Sequence, residues 1–312
     1  MNIGDDEAPS RIEPAPDEIM GERPRLMSLA YRLLGSVAEA EDVTQEAFTR
    51  WYAMTVEQRQ AIAQPGAWLT TVASRICLDV LGSARARRER YVGEWIPEPL
   101  PESTDWLNGR AGGASVDPAD RVTLDESINM AFLVVLESLT PAERVAFILH
   151  DVFAYPFAEV AEIVGRTPAA CRQLATSARR RIQASRAPLV PTAQQAGIVR
   201  EVKRAWENHD IAGLVAVLDP AATATADGGG IVSALREPLE GSEQIARGFV
   251  EIARRFGGSM TIRECVVNGQ PGLMAEGDGE IIVVMAFEIV DDRVKNIWAV
   301  RNPQKLRAWM AR

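Results

Sequence analysis

The sequence predicts a multidomain chain, two all-α helical modules followed by an α+β cone. Three observations carry this prediction. Apolar residues recur at helical spacing over residues 23–90 and again from about residue 119 to 185. Pro-containing breaks separate these stretches from each other and from the rest of the chain. The last third then switches to short strand-like runs. With 312 residues there is room for two or three domains at roughly 100–200 residues each. The expected organisation is a disordered acidic tail over 1–22, a first helical module over 23–92, a linker over 93–118, a second helical module over 119–188 and the cone over 189–312.

In the first module, Leu26, Leu29, Ala30, Leu33 and Leu34 recur at helical spacing, and Gly35 ends that helix. Ser36 can cap the next helix, with Glu39 at the capping-box spacing. That helix turns Ala40, Val43, Ala47, Phe48 and Trp51 to one side and Asp42, Gln45, Glu46 and Thr49 to the other. A break at Gln64–Pro65–Gly66 precedes a long helix with Leu69, Val72, Ala73, Ile76, Val80 and Leu81 inward. In the second module, Thr140, Pro141 and Glu143 give a helix start. A short helix, Gly165 and a second helix opened by Thr167 and Pro168 then form a helix-turn-helix. The final third reads as a helix over about 193–209 and five strand-like runs, with a helix over SEQIARGFVEIARRF between the first two, packed as a curved, mostly antiparallel sheet.

Composition narrows the function. Hydrophobic content of 47% and charged content of 25% suit a globular chain, and no apolar run reaches the roughly 18 residues of a membrane span. The acidic, Pro-containing start has neither the basic nor the apolar part of a signal peptide, so a cytoplasmic protein is expected, with no membrane partner. Cys77, Cys171 and Cys265 are far apart, and there are only two histidines; neither a disulfide framework, a metal site nor a cofactor is expected. The net charge of −9 argues against general nucleic-acid coating. The arginines are nevertheless clustered, four of them within Arg85–Arg90, and the stretch Arg166–Arg200 contains no Asp or Glu.

The helix-turn-helix carries the most chemistry. With Cys171, Leu174, Ala178 and Ile182 inward, Arg172, Gln173, Thr176 and Arg180 face outward, where Arg can pair with guanine and Gln with adenine in a major groove. Arg179, Arg180 and Arg181 would meet phosphates. A basic, solvated helix end is the plain alternative. Trp68 with Arg75, Arg85, Arg87 and Arg88 forms a second constellation, an aromatic platform and cations suited to single-stranded DNA; alternatively, Trp68 packs in the core. The polar face of Asp42, Gln45 and Glu46 has no implied pocket and by itself reads as a solvated face.

Taken in order, these pieces resemble the extracytoplasmic-function sigma factors of the sigma-70 family. GSVAEAEDVTQEAFTRWY resembles the region 2 helix that binds the polymerase clamp. PGAWLTTVASRICLDVLGSARARRERY is similar to the part that melts and reads the minus-ten element, and LTPAERVAFILHDVFAYPFAEVAEIVGRTPAACRQLATSARRRI to region 4, which reads the minus-thirty-five element. VGEWIPEPLPE resembles the linker motif of a subgroup with a SnoaL-like extension. DGGG (Asp227, Gly228, Gly229, Gly230) and NPQK (Asn302, Pro303, Gln304, Lys305) resemble that subgroup's extension motifs, with departures at Ile96, Ile231 and Gln304. The resemblance implies core RNA polymerase and promoter DNA as partners and Asp42, Gln45 and Glu46 as polymerase contacts. It also implies a regulatory extension that touches the linker. Trp95, flanked by Pro97, Glu98 and Pro99, is then expected to dock on the extension, and the cone is a candidate site for a small ligand.

Two other readings stay open. A ligand-responsive helix-turn-helix regulator would bind duplex DNA without polymerase, yet leaves the first module unexplained. An isomerase or cyclase in the cone would need a carboxylate or His to move a proton, and Asp227, His209 and Asp219 are the candidates. Fold analogy alone carries that reading: His209 reads better as a helix-end residue, and the glycine run as a turn near the domain interface.

Overall fold

The computed structural model describes residues 16–88, 91–108, 126–185, 192–235, 237–256 and 259–310. The helical part begins with α1 (Pro16–Met20), α2 (Arg23–Leu34), α3 (Val37–Tyr52), α4 (Val56–Gln60) and the long α5 (Pro65–Arg88). Local chemistry sets their ends. Gly35 adopts the left-handed conformation that closes α2 (φ 70°), Ser36 accepts from the Glu39 amide to open α3, and Thr55 with Gln58 forms a full capping box on α4.

After the linker come α6 (Met130–Glu137), α7 (Pro141–Phe147), a π-turn over Ile148–Val152, α8 (Phe157–Val164) and α9 (Pro168–Ser185). Thr140 and Glu143 exchange the two bonds of a capping box at the start of α7. Gly165 ends α8 in the left-handed region (φ 69°), and Thr167 takes the Ala170 amide, so α8 and α9 form the expected helix-turn-helix.

The two helical modules share one apolar core. Leu26, Leu29, Leu33, Trp51 and Leu69 from the first module belong to the same buried cluster as Leu136, Phe147, Leu149, Ile163 and Cys171 from the second. Charges stitch the same seam: the buried Arg144 guanidinium donates to the Leu33 carbonyl (3.0 Å) and pairs with Glu137 (2.8 Å). Arg32 bonds Ser127 (2.7 Å) on the far side of the linker.

The remainder is an α+β cone: α10 (Thr192–Glu207), α11 (Ile211–Val217), β1 (Leu218–Asp227), β2 (Leu239–Glu240), α12 (Ser242–Phe256), β3 (Met260–Val267), β4 (Gln270–Gly277), β5 (Glu280–Val290), β6 (Arg293–Val300) and α13 (Arg307–Met310). The sheet runs β2-β1-β6-β5-β4-β3, with β1 and β6 parallel and every other pair antiparallel. Two-residue turns with positive φ, Asn268–Gly269 (51° and 75°) among them, connect its hairpins, as the right-handed strand twist requires. One face of the sheet packs on α10 and α12 through Trp206, Phe249, Met285 and Ile297. The opposite face meets the linker, α6 and α13 through Ile96, Met130, Val284, Trp298 and Trp309.

Two expectations need correction. Residues 16–22 are not tail: α1 folds and buries Ile19 to 2% exposure, while residues 1–15 lie outside the described residues. The helical spacing from about residue 119 does not make one continuous helix: a 3-10 turn over Glu126–Ile128 precedes α6, and Asn129 caps it by accepting from the Ala131 amide. Residues 96–101 of the linker are buried. Among the described residues no helix is long and apolar enough to cross a membrane.

Candidate functional site

The linker crosses between the helical layer and the outer face of the sheet, and both sides hold it. On the helical side, Tyr31 of α2 donates to the Glu98 carbonyl (2.6 Å), and the Glu98 amide donates to the Gly35 carbonyl (2.8 Å). The Glu98 carboxylate accepts from the Val37 amide (2.8 Å) at the N-terminal end of α3, a helix terminus that favours negative charge. Burial nonetheless pushes the Glu98 carboxyl up to about 7, against the opposing pull of that amide and of Lys305.

On the cone side, Asp227 at the end of β1 is fully buried and fully engaged. Its carboxylate accepts from Tyr91 Oη (2.7 Å), the Ile96 amide (3.1 Å) and the Gly229 amide (3.0 Å), and it pairs with Lys305 Nζ (2.7 Å). Lys305 also donates to the Ile96 carbonyl, and its ammonium lies 4.2 Å from the Trp95 ring centroid and 5.3 Å from that of Tyr91. Asn302 donates to Tyr91 Oη (2.9 Å), and Trp309 Nε1 donates to the Pro99 carbonyl (2.8 Å). Gly229, at φ 65°, lies so close to the Asn302 amide that a Cβ would collide with it. The DGGG and NPQK segments, far apart in sequence, therefore form one cradle for the WIPEP segment. The far edge of Trp95 reaches the other side, packing against Gly35.

A second hub lies at the β3–β4 turn. Asn268 is wholly buried: its Oδ1 accepts from the Leu100 amide (2.9 Å), its Nδ2 donates to Tyr31 Oη and to the Ile128 carbonyl (both 2.9 Å), and its own amide donates to the Leu100 carbonyl (2.9 Å). Pro101 bridges to Val267 beside it, so the linker extends the sheet edge by one pairing.

The expected nucleic-acid residues divide. Arg172, Gln173, Thr176 and Arg180 are exposed on α9, although the Arg172 guanidinium also lies over Phe157 at 5.2 Å. Arg179 instead pairs with the buried Asp151, and Arg181 lies 3.6 Å from Glu143. Trp68 is half-buried edge-on against Trp51, with ring centroids 5.5 Å apart. Arg75 is exposed and donates to the Glu162 carbonyl of α8 (3.0 Å), tying α5 to the helix-turn-helix. The side chains of Arg85, Arg87 and Arg88 lie outside the described residues. Asp42, Gln45 and Glu46 are exposed on one face of α3, Glu46 paired with Arg50 (2.8 Å).

The acid–base candidates of the cone do not converge. Asp227 is sequestered in the linker cradle, Asp219 accepts from the Ala221 amide, and His209 is exposed just past the end of α10 with a positive φ of 54°. The cone interior holds a cavity of about 300 Å³, lined mainly by apolar side chains including Trp206, Phe249, Met285 and Ile297.

Comparison with known proteins agrees with this architecture. Residues 19–88 match the family described as sigma-70 region 2, and residues 129–182 match sigma-70 region 4. The chain is 38% identical to the ECF RNA polymerase sigma factor SigJ of Mycobacterium tuberculosis, over 91% of this chain and 90% of that protein. It is 35% identical to a probable ECF RNA polymerase sigma factor, SigI, of the same species, over 95% and 96% of the two chains. The crystal structure of M. tuberculosis SigJ superposes with a TM-score of 0.72 at 35% identity, covering 94% of this chain and 99% of that one.

Proposed function

Because the chain belongs to the extracytoplasmic-function RNA polymerase sigma factors, it serves as an alternative sigma factor in transcription initiation, and we propose that its cone regulates it in cis by gripping the linker. The single observation that carries this reading is the burial of the WIPEP segment between α2–α3 and the Asp227–Lys305 pair. In the closed arrangement α5 touches α8 through Arg75. The minus-ten and minus-thirty-five elements lie about 25 base pairs apart, roughly 85 Å at about 3.4 Å per pair. Two modules in contact do not span that distance, so promoter engagement requires the helical layer to open, and the cone's hold on the linker sets the cost of opening.

In this reading Asp42, Gln45 and Glu46 contact core RNA polymerase. Arg172, Gln173, Thr176 and Arg180 read and track the minus-thirty-five duplex. Arg75, Arg85, Arg87 and Arg88 serve the minus-ten strand, with Trp68 supporting them from its seat on Trp51. Arg179, with its Nε committed to Asp151, meets phosphate through its terminal nitrogens. The protein works in the cytoplasm, and its cone is a non-catalytic regulator with room for a small ligand. Run-off transcription with core polymerase over fragments of the host genome tests the proposal. Promoter-specific transcripts that require both core and this chain, and whose yield changes with Trp95→Ala, support it. Transcripts unaffected by Trp95→Ala and by Lys305→Met count against regulation through the linker.

A further inference from the structure

We infer that the cone cavity binds a small, largely apolar molecule bearing one anionic group of the carboxylate type, with Arg301 as its anchor. The cavity's volume of about 300 Å³ is at the small end of ligand sites. It suits a ligand on the order of ten non-hydrogen atoms. Its walls are the apolar side chains of Trp206, Phe249, Met260, Ile282, Met285 and Ile297. Such a wall recognises an aromatic ring or a short branched or linear chain by exclusion of water.

The charge balance of the lining specifies the rest. Glu251 and Arg255 pair with each other on α12 at 3.4 Å, with both side chains largely exposed, and so neutralise one another. Arg301, just past β6, has no such partner: among the described residues its guanidinium bonds only the carbonyls of Ser233 and Ile282 (3.5 Å to the latter), both residues of the cavity lining. Half-buried, it is held below its ordinary proton affinity by the loss of water. A desolvated guanidinium with donors to spare, set in an apolar wall, is best satisfied by a carboxylate accepting a charge-assisted bond. The site lies one residue from the linker cradle, since the Arg301 and Asn302 amides both donate to the Asp227 carbonyl (2.7 and 3.0 Å). Occupancy would therefore be felt where Asp227 and Asn302 hold the linker. This consequence, though not the binding itself, rests on the reading of the cone as a regulator.

Isothermal titration of the full chain, without polymerase, with benzoate, phenylacetate and hexanoate and with their three primary amides tests the site. At least one acid should bind saturably, and roughly tenfold or more tightly than its amide. Arg301→Gln should abolish the preference and Arg301→Lys retain part of it. If Arg301→Gln does not fold, the comparison of acid with amide on the unaltered chain decides. No saturable binding by any of the acids at millimolar concentration, equal binding of acid and amide, or a preference that survives Arg301→Gln overturns the inference. Because transcription is not the readout, any of these results leaves the sigma-factor reading intact.

Discussion

Asn268 of the cone and Tyr31 of the first helical module meet at 2.9 Å, both buried, although 237 positions separate them in sequence. The same amide closes on the Leu100 amide and the Ile128 carbonyl, so one side chain joins the cone, the linker and both helical modules. Asn268→Ala strands these groups out of water. Each buried polar group left unpaired costs about 1–3 kcal/mol, and the loss should reach several kcal/mol in urea unfolding. Tyr31→Phe removes only the bonds to Asn268 and to the Glu98 carbonyl and should cost less. Equal stability of Asn268→Ala and the unaltered chain would refute the hub.

The Lys305–Asp227 pair is out of solvent, with side-chain exposures of 10% and 0%. Removing the ammonium with Lys305→Met leaves a buried carboxylate, a change that costs about 3–5 kcal/mol in comparable settings. Asp227→Asn keeps one acceptor oxygen, for the Ile96 amide and Lys305 or for Tyr91 and the Gly229 amide but not for both sides, and should be milder because it leaves no buried carboxylate unpaired. Gly229→Ala should loosen the same cradle through its clash with Asn302 and its left-handed backbone. Limited proteolysis between residues 94 and 101 is the measurement, with cleavage expected to be fast in Lys305→Met and Gly229→Ala and slow in the unaltered chain.

Glu98 sets a pH dependence. Burial raises its carboxyl from 4.5 to about 7, with Lys305 and Arg307 lowering it and Glu41 raising it. A carboxyl whose folded value lies above its unfolded one binds more protons when folded. Its contribution to stability is therefore full below about 4.5 and is lost as pH rises toward about 7, by an amount on the order of 2–3 kcal/mol. Glu98→Gln keeps an acceptor for the Val37 amide and should flatten this part of the profile. Urea midpoints that fall in parallel for both chains over that window would contradict the assignment.

On α9 the expected roles are separable. Arg172→Ala should cost promoter binding by the holoenzyme about 1–3 kcal/mol and relax preference at one base pair. Arg180→Ala should weaken binding across sequences and reduce the salt dependence by about one phosphate contact. Fluorescence titrations with promoter duplexes at several salt concentrations distinguish the two.

Much of the fold was legible because its signals are local. Gly35, Ser36, Thr140, Gly165 and Thr167 mark helix ends by chemistry that acts within a few residues, and the helix-turn-helix follows from them. The cradle was legible only in outline. DGGG, NPQK and WIPEP stand out in the sequence, but their bonds to one another are long-range. The hub at Asn268 was missed. Asn-Gly between strand-like runs signals a hairpin turn, ordinarily exposed, and nothing local says that this one is buried against Tyr31. Tyr91 and Trp309 were missed for the same reason. Ile19, in an acidic and Pro-containing stretch, carries no periodic pattern that would mark it as core.

The central claim is that the cone holds the two DNA-reading modules closed through the linker. Pulsed electron–electron distance measurement between spin labels at Asp79→Cys on α5 and Gln183→Cys on α9, both exposed positions, tests it most directly. In the unaltered linker context the free chain should give one short distance. Core polymerase should shift it toward the tens of ångströms that separate the two promoter elements, and Lys305→Met should populate longer distances without polymerase. A distance unchanged by polymerase, or unchanged by Lys305→Met, would contradict the account.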